Sequence, residues 1–168
     1  AASDVYKRQS QFSSLDVRGW TVVQSTSNGS QALEQTCEAE CIVIACLRNR
    51  LAAAQAALAT SNDLAIVCSG EDSSRRPSVE DVYPAGALVR QVVASEPTLR
   101  RTAGARLALR IFASYATAAD AFADAPHAIN LRQLGLHADL EFAAELDVDS
   151  SQPVVTRDAQ NRLRIIGS

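Results

Sequence analysis

The sequence contains no methionine at any position and a single lysine, Lys7, against fifteen arginines. Aromatic residues are scarce, at 5% of 168 positions with one tryptophan, so a core has to be assembled from the aliphatic residues and alanines that raise the hydrophobic share to 47%. That share suits one globular domain and excludes a disordered chain. Neither sign of charge dominates. The formal net charge is -3 and the cations are scattered along the chain, which excludes the massed basic face that nucleic acid requires. No apolar run approaches the roughly 20 residues of a membrane span, and the start lacks a basic region followed by an apolar core, so the expected location is the cytoplasm. Cys37, Cys41, Cys46 and Cys68 have no paired C-x-x-C spacing and no histidine nearby, which excludes zinc. They read as reduced core fillers.

The absence of methionine at position 1 and the opening "AASDVYKRQ", different in style from the remainder of the chain, lead to the expectation that residues 1–9 are foreign, adapter-derived sequence. Residues 10–168 are then a single α/β domain.

What is present is an alternation. A β-branched run, "TVVQ" from Thr21, leads through "STSNGS" into the helix formers "SQALEQTC", with Asn28 and Gln31 spaced as a variant capping box. The continuous apolar run 41–47 leads into "RNRLAAAQAALA", where Asn49 is placed to cap a helix. The run "LAIVCSG" from Leu64 precedes a polar loop and "SVEDVYPAGALVRQVV", with Ser78 and Asp81 at capping-box-like spacing and Pro84 expected to kink the helix. Apolar strands alternating with helices predict an α/β fold with a mostly parallel sheet covered by helices. Helical stretches at 106–115, 117–125 and 138–145, separated by Pro126 and Gly135, would pack on that sheet. "PVVTRDAQNRLRII" reads as a C-terminal β-hairpin around the turn "DAQN".

In parallel α/β sheets ligands gather at the carboxyl ends of the strands, which directs attention to the three loops there. In the first, Gly29 lets the backbone approach a ligand, while Thr26, Ser27, Asn28 and Ser30 offer small donors to phosphate oxygens. In the second, Arg48 or Arg50 can place a guanidinium fork on a phosphate, sulfonate or carboxylate, beside Asn49. The third carries Ser69 and Gly70, then Arg75 and Arg76, with Glu80 and Asp81 at the next helix start. Two adjacent carboxylates could hold Mg²⁺, which prefers hard oxygen ligands. The same residues also read as plain turns and caps, and acids are favoured in a first helical turn without any metal. His127 and His137 have no partner in view, and Asp139 and Glu141 stand two apart, a spacing that does not bring them together on a helix.

The ordered motifs resemble the 2-phosphosulfolactate phosphatase family from about Val22 to Val155. The family's "STTNGT" corresponds to "STSNGS" at 25–30, its strand-ending leucine and asparagine to "CLRNR" at 46–50, and its "C-A-G … S-L-E-D … A-G" to "CSG" at 68–70 with "SVEDVYPAG" at 78–86. "NLRQLGLHADLEFAAELDV" at 130–148 is similar to a later family segment. The resemblance implies a Mg²⁺-dependent phosphatase that hydrolyses 2-phospho-3-sulfolactate to sulfolactate and phosphate, a step of coenzyme M biosynthesis. Asn28, Gly29 and Ser30 would cradle the phosphate, with Thr26, Ser27, Ser69 and Gly70 among the residues that bind the substrate. Arg48 or Asn49 would fix another anionic arm, and Glu80 with Asp81 would hold the metal, with Asn28, Ser30, Glu80 and Asp81 as the catalytic set. Two departures stand out: the loop after Gly70 lacks a family glycine, and the family's N-terminal half, with its "D-V-x-R-A-T-T" motif, has no counterpart here. The expectation is therefore an inactive fragment of the enzyme. The alternatives are a non-catalytic module binding a small anion, or a phosphatase for another phosphorylated hydroxy acid. A small phosphorylated anion is the expected partner, and a homo-oligomer stays open.

Overall fold

The computed structural model describes residues 16, 18–23, 26, 28–61, 63–71 and 76–167. Segment 1–9, Ser27 and Arg75, singled out in the sequence, lie outside the described residues. In chain order the elements are α1 (Gly29–Gln35), α2 (Arg50–Thr60), α3 (Val79–Ser95), α4 (Ala103–Ser114), α5 (Ala118–Ala123), α6 (Pro126–Gln133), α7 (His137–Ala144), β1 (Val154–Arg157) and β2 (Leu163–Ile166).

Small residues decide how the helices meet. Helix α3 is the central element, packed on α2, α4 and α5. At its crossing with α4 a Cβ on Gly86 would lie 2.1 Å from the carbonyl oxygen of Ala108 and 2.7 Å from Cβ of Phe112, so only glycine lets the two backbones come this close. Helix α2 presents Ala52, Ala53 and Ala54 to the interior, again with little side chain to separate it from α3. The few aromatics are concentrated where the alanines leave room. Tyr83 of α3 lies 4.9 Å, centroid to centroid, from Phe112, 6.0 Å from Tyr115 and 6.3 Å from Phe122. The last two pairs are edge-on, a geometry that ring quadrupoles favour. Leu47, Ala87, Ala118 and Ala121 complete this cluster.

Helix starts follow side-chain capping where a threonine is available. Thr102 Oγ1 accepts the Ala105 amide at the start of α4, and Thr117 with Asp120 forms a full capping box at the start of α5. Pro126 separates α5 from α6 as expected, by occupying the first turn of α6, where its missing N–H costs nothing. Helix α3 continues through Pro84 without interruption.

The C-terminal hairpin is present as expected, antiparallel, with Val154 opposite Ile166 and Arg157 opposite Leu163. Its turn is organised by one carboxylate: Asp158 accepts the amides of Gln160 and Arg162, at 3.0 and 2.9 Å, and the guanidinium groups of Arg162 and Arg164. Asn161 supplies the left-handed residue at φ 63°.

The mostly parallel sheet expected from the sequence does not form among the described residues, where the only paired strands are the two of this hairpin. Residues 21–23 and 64–70 are unpaired, and Val23, Ile66 and Val67 are 91%, 41% and 55% exposed. Run 41–47 is paired only by an antiparallel bridge between Val43 and Val154, with Ile44 N–H on Pro153 O and Val155 N–H on Ile42 O. A buried parallel strand needs a neighbouring strand to take its backbone groups. The described chain brings helices and one hairpin to these runs, so the apolar pattern is there without the ladder.

Candidate functional site

The residues singled out in the sequence fall into three groups in space. The first is the bend before α1. Thr26 and Ser30 are tied reciprocally: the Thr26 amide donates to Ser30 Oγ at 3.1 Å and the Ser30 amide to Thr26 Oγ1 at 3.2 Å. A Cβ on Gly29 would stand 2.9 Å from Thr26 Oγ1, so the glycine is what lets the threonine close over the helix start. Asn28 sits at the N-cap position without a side-chain cap, and its carbonyl takes the Ala32 amide. Helix α1 buries no residue and packs on no other helix or strand among the described residues. The structure therefore does not dock this bend onto the elements that carry the other two groups.

Those other two groups are neighbours. Helices α2 and α3 pack on each other, and Leu47, just before Arg48, and Val79, just before Glu80, both belong to the core around Tyr83.

At the start of α2 the segment 145–151 lies along 47–51. The Asp147 and Asp149 amides donate to the carbonyls of Leu47 and Arg48 at 3.0 and 2.9 Å. Asn49, 4% exposed, does not cap α2 as expected. Its Oδ1 accepts the Cys46 amide at 2.8 Å and its Nδ2 donates to Ile44 O and Ser151 O, at 3.1 and 3.2 Å, so it ties three stretches of backbone together. The cap comes from far along the chain. Asp147, at φ 53°, accepts the Leu51 amide at 2.8 Å and the Nε and Nη2 donors of Arg50 in a two-pronged fork. Burial alone would raise the Asp147 carboxyl, but the Arg50 guanidinium and the Leu51 amide outweigh it and hold the carboxyl below its ordinary range. Arg48 is held differently. Its guanidinium lies over the Phe142 ring, 3.6 Å from the centroid, and Nη1 alone makes both polar contacts, to Phe142 O at 3.1 Å and to the Glu145 carboxylate.

At the start of α3 the two adjacent acids have different surroundings. Neighbouring positions on a helix point about 100° apart, and the two side chains meet different groups. Asp81 turns toward the 68–70 bend, accepting the Gly70 amide at 2.6 Å, the Ser78 hydroxyl at 3.0 Å and, more loosely, the Ser69 hydroxyl at 3.4 Å. Gly70 is left-handed at φ 67°. The Cys68 thiol beside it is pushed up, first by burial and then by the Asp81 charge. Glu80 has the opposite character, with its Oε2 buried and no hydrogen-bond partner among the described residues. Arg76 is fastened to Glu71 by reciprocal backbone bonds of 3.2 and 2.8 Å. His137 starts α7, where Asp139 is buried in the first turn and Glu141 is exposed.

For a divalent cation the Oε2 of Glu80 is the fitting acceptor, buried and unengaged, whereas the Asp81 oxygens already receive protein donors. Among the described residues no group of three histidine, cysteine, aspartate or glutamate side chains could hold a metal ion. Phe142, Glu145 and Asp147 escaped the sequence reading because their partners lie more than ninety positions away in the chain and no local spacing marks them. The nearest hint was the acid-rich "AELDVDS" after α7.

Comparison with known proteins matches residues 4–158 to a family model described as 2-phosphosulpholactate phosphatase. A probable 2-phosphosulfolactate phosphatase of Deinococcus radiodurans is 34% identical over 141 residues, covering 83% of this chain and 58% of that protein. One of Thermus thermophilus is 34% identical over 145 residues, covering 84% of this chain and 60% of its own length. One of Symbiobacterium thermophilum is 28% identical over 147 residues, covering 87% and 62%. The chain thus spans about three fifths of the length of these relatives. Among the described residues no helix is long and apolar enough to cross a membrane.

Proposed function

This chain belongs to the 2-phosphosulpholactate phosphatase family, and from that premise we propose that the protein hydrolyses the phosphate ester of 2-phospho-3-sulfolactate, releasing sulfolactate and phosphate in the manner of coenzyme M biosynthesis. What supports the proposal is that two helices packed on each other, α2 and α3, carry at their starts a guanidinium with free donors, Arg48, and a buried carboxylate oxygen, Glu80 Oε2, without a partner among the described residues. A small polyanion losing a phosphoryl group needs both a cation to receive its charge and an oxygen to bind a metal or take a proton.

In this reading Arg48 receives an anionic arm of the substrate, and Glu80 is the reacting carboxylate. Glu80 would hold magnesium, which when bound would supply neutralisation of phosphoryl charge and acidification of water. Asp81 keeps the Ser69–Gly70 bend in place, and Asn49 fixes the backbone from which Arg48 projects. The Thr26–Ser30 bend, with Ser27, Asn28 and Gly29, is the proposed phosphate cradle, brought to the site in the longer proteins of the family. Runs 41–47 and 64–70 are the proposed strands of their parallel sheet, a reading supported by the bridge of Val43 to Val154 in the first and by the exposed Ile66 and Val67 in the second. The compartment proposed is the cytoplasm.

The test is phosphate release from 2-phosphosulfolactate by the protein as its gene encodes it. Glu80→Gln is expected to lower kcat by about 10²-fold or more, and EDTA to abolish turnover. Full turnover in Glu80→Gln would remove the carboxylate from the chemistry and the proposal with it.

A further inference from the structure

The two arginines at the start of α2 differ in a way that the sequence does not disclose. Arg50 spends both Nε and Nη2 on the carboxylate of Asp147, so the edge of the guanidinium suited to an oxyanion is already filled by one. Arg48 makes its polar contacts through Nη1 alone, to Phe142 O and to Glu145, while the Phe142 ring covers one face. Its Nε and Nη2 donors therefore have no partner among the described residues. The side chain is only 20% exposed, which means that it is held by its surroundings and does not sweep through solvent.

We propose that Phe142 and Glu145 are positioning residues for the anion-receiving arginine of this family's reaction: by gripping one face and one nitrogen of Arg48, they leave its Nε–Nη2 edge free to take a substrate oxyanion through two parallel hydrogen bonds. The inference rests on the reading that Arg48 serves the substrate, and it adds residues of α7 and of the turn after it to that site. Ring and carboxylate act in opposite senses. The π face of Phe142 and its carbonyl fix the guanidinium plane at little cost to its charge, which saves the entropy of ordering a long side chain when the anion arrives. Glu145 steadies Nη1 but offsets part of the positive charge. Its side chain is 50% exposed and it follows the C-terminal end of α7, where the helix dipole disfavours an acid. The grip of Glu145 is accordingly weak, and an incoming dianion competes with it on good terms.

The experiment uses the 168-residue chain, inorganic phosphate as probe, and the Nε–H signals of the arginines in NMR spectra, with Arg48 identified by loss of its signal in Arg48→Lys. Phosphate is expected to move the Arg48 signal and leave that of Arg50 in place. Phe142→Leu keeps the carbonyl and removes the ring, and is expected to weaken phosphate binding about three- to tenfold. Glu145→Gln is expected to tighten it about two- to fivefold, the range of an exposed ion pair. Phosphate acting on Arg50, no response at Arg48, or the two variants shifting affinity together or not at all would overturn the inference. If Phe142→Leu fails to fold, Glu145→Gln alone decides, since it alters a half-exposed side chain. Hydrolysis assays on the protein as its gene encodes it keep the two ideas apart: phosphosulfolactate turnover with KM unchanged in both variants sinks the positioning role and spares the phosphatase. Opposite shifts in phosphate affinity in a protein that hydrolyses no phosphosulfolactate do the reverse.

Discussion

Asp81 takes the amide of Gly70 at 2.6 Å, and the same carboxylate accepts the Ser78 hydroxyl at 3.0 Å, so the bend after residue 68 is fastened to the first turn of α3 by one side chain. This arrangement needs no metal. Asp81→Ala removes the acceptor from an amide and a hydroxyl in a partly buried setting, and the expected cost is about 1–3 kcal/mol, measured as a fall in the urea unfolding free energy with EDTA present. An Asp81 that served only to bind magnesium would leave the metal-free stability unchanged.

Gly86 gives a second prediction, independent of any ligand. Its hydrogen stands where a methyl group would lie 2.1 Å from Ala108 O and 2.7 Å from Phe112 Cβ, and neither a backbone carbonyl nor a Cβ can swing away like the end of a flexible side chain. Helix propensity alone favours alanine over glycine by about 1 kcal/mol. Gly86→Ala is nonetheless expected to destabilise, by about 1–3 kcal/mol, because α3 and α4 must move apart and the stacking of Tyr83 on Phe112 is disturbed. Thermal unfolding followed by near-ultraviolet circular dichroism reads both effects, and a Tm at or above that of the parent would show that the crossing yields easily.

What was legible in the sequence was what neighbours in the chain decide. The helix starts at Arg50 and Val79, the hairpin and its Asp158 turn all depend on residues within a few positions of one another. The capping roles assigned to Asn49 and to Ser78 with Asp81 failed for a physical reason. A side chain that can cap can equally bond elsewhere, and tertiary partners at Ser151 for Asn49 and at Gly70 for Asp81 prevailed. The parallel sheet is not seen among the described residues because an apolar run needs neighbouring strands, which its own residues do not name, and Val23, Ile66 and Val67 are left exposed without them. Of the candidate site, the arginines and acids were legible as residue types. Which arginine is filled and which acid is unpartnered was not, since Asp147 and Glu145 reach them from the far end of the chain.

The Arg50–Asp147 clamp predicts a pH dependence whose sign can be worked out. Burial raises the Asp147 carboxyl pKa, the Arg50 guanidinium and the Leu51 amide lower it, and the balance lies below the ordinary value of 3.8. A carboxyl depressed on folding adds stability that is complete above its unfolded pKa and is lost as the pH falls through its folded pKa. The clamp therefore contributes fully from neutrality down to about pH 5 and fades below about pH 4. Asp147→Asn keeps an acceptor for the Leu51 amide but removes the charge. The gap in urea unfolding free energy between parent and variant should be constant from pH 7 to 5 and close as the pH drops below 4. Asp158, held well below the ordinary range chiefly by the Arg162 amide, titrates alike in both proteins and cancels in the difference. A gap that stays constant to pH 2.5 would mean that the Asp147 charge adds nothing, and that the carboxylate holds α2 through its hydrogen bonds alone.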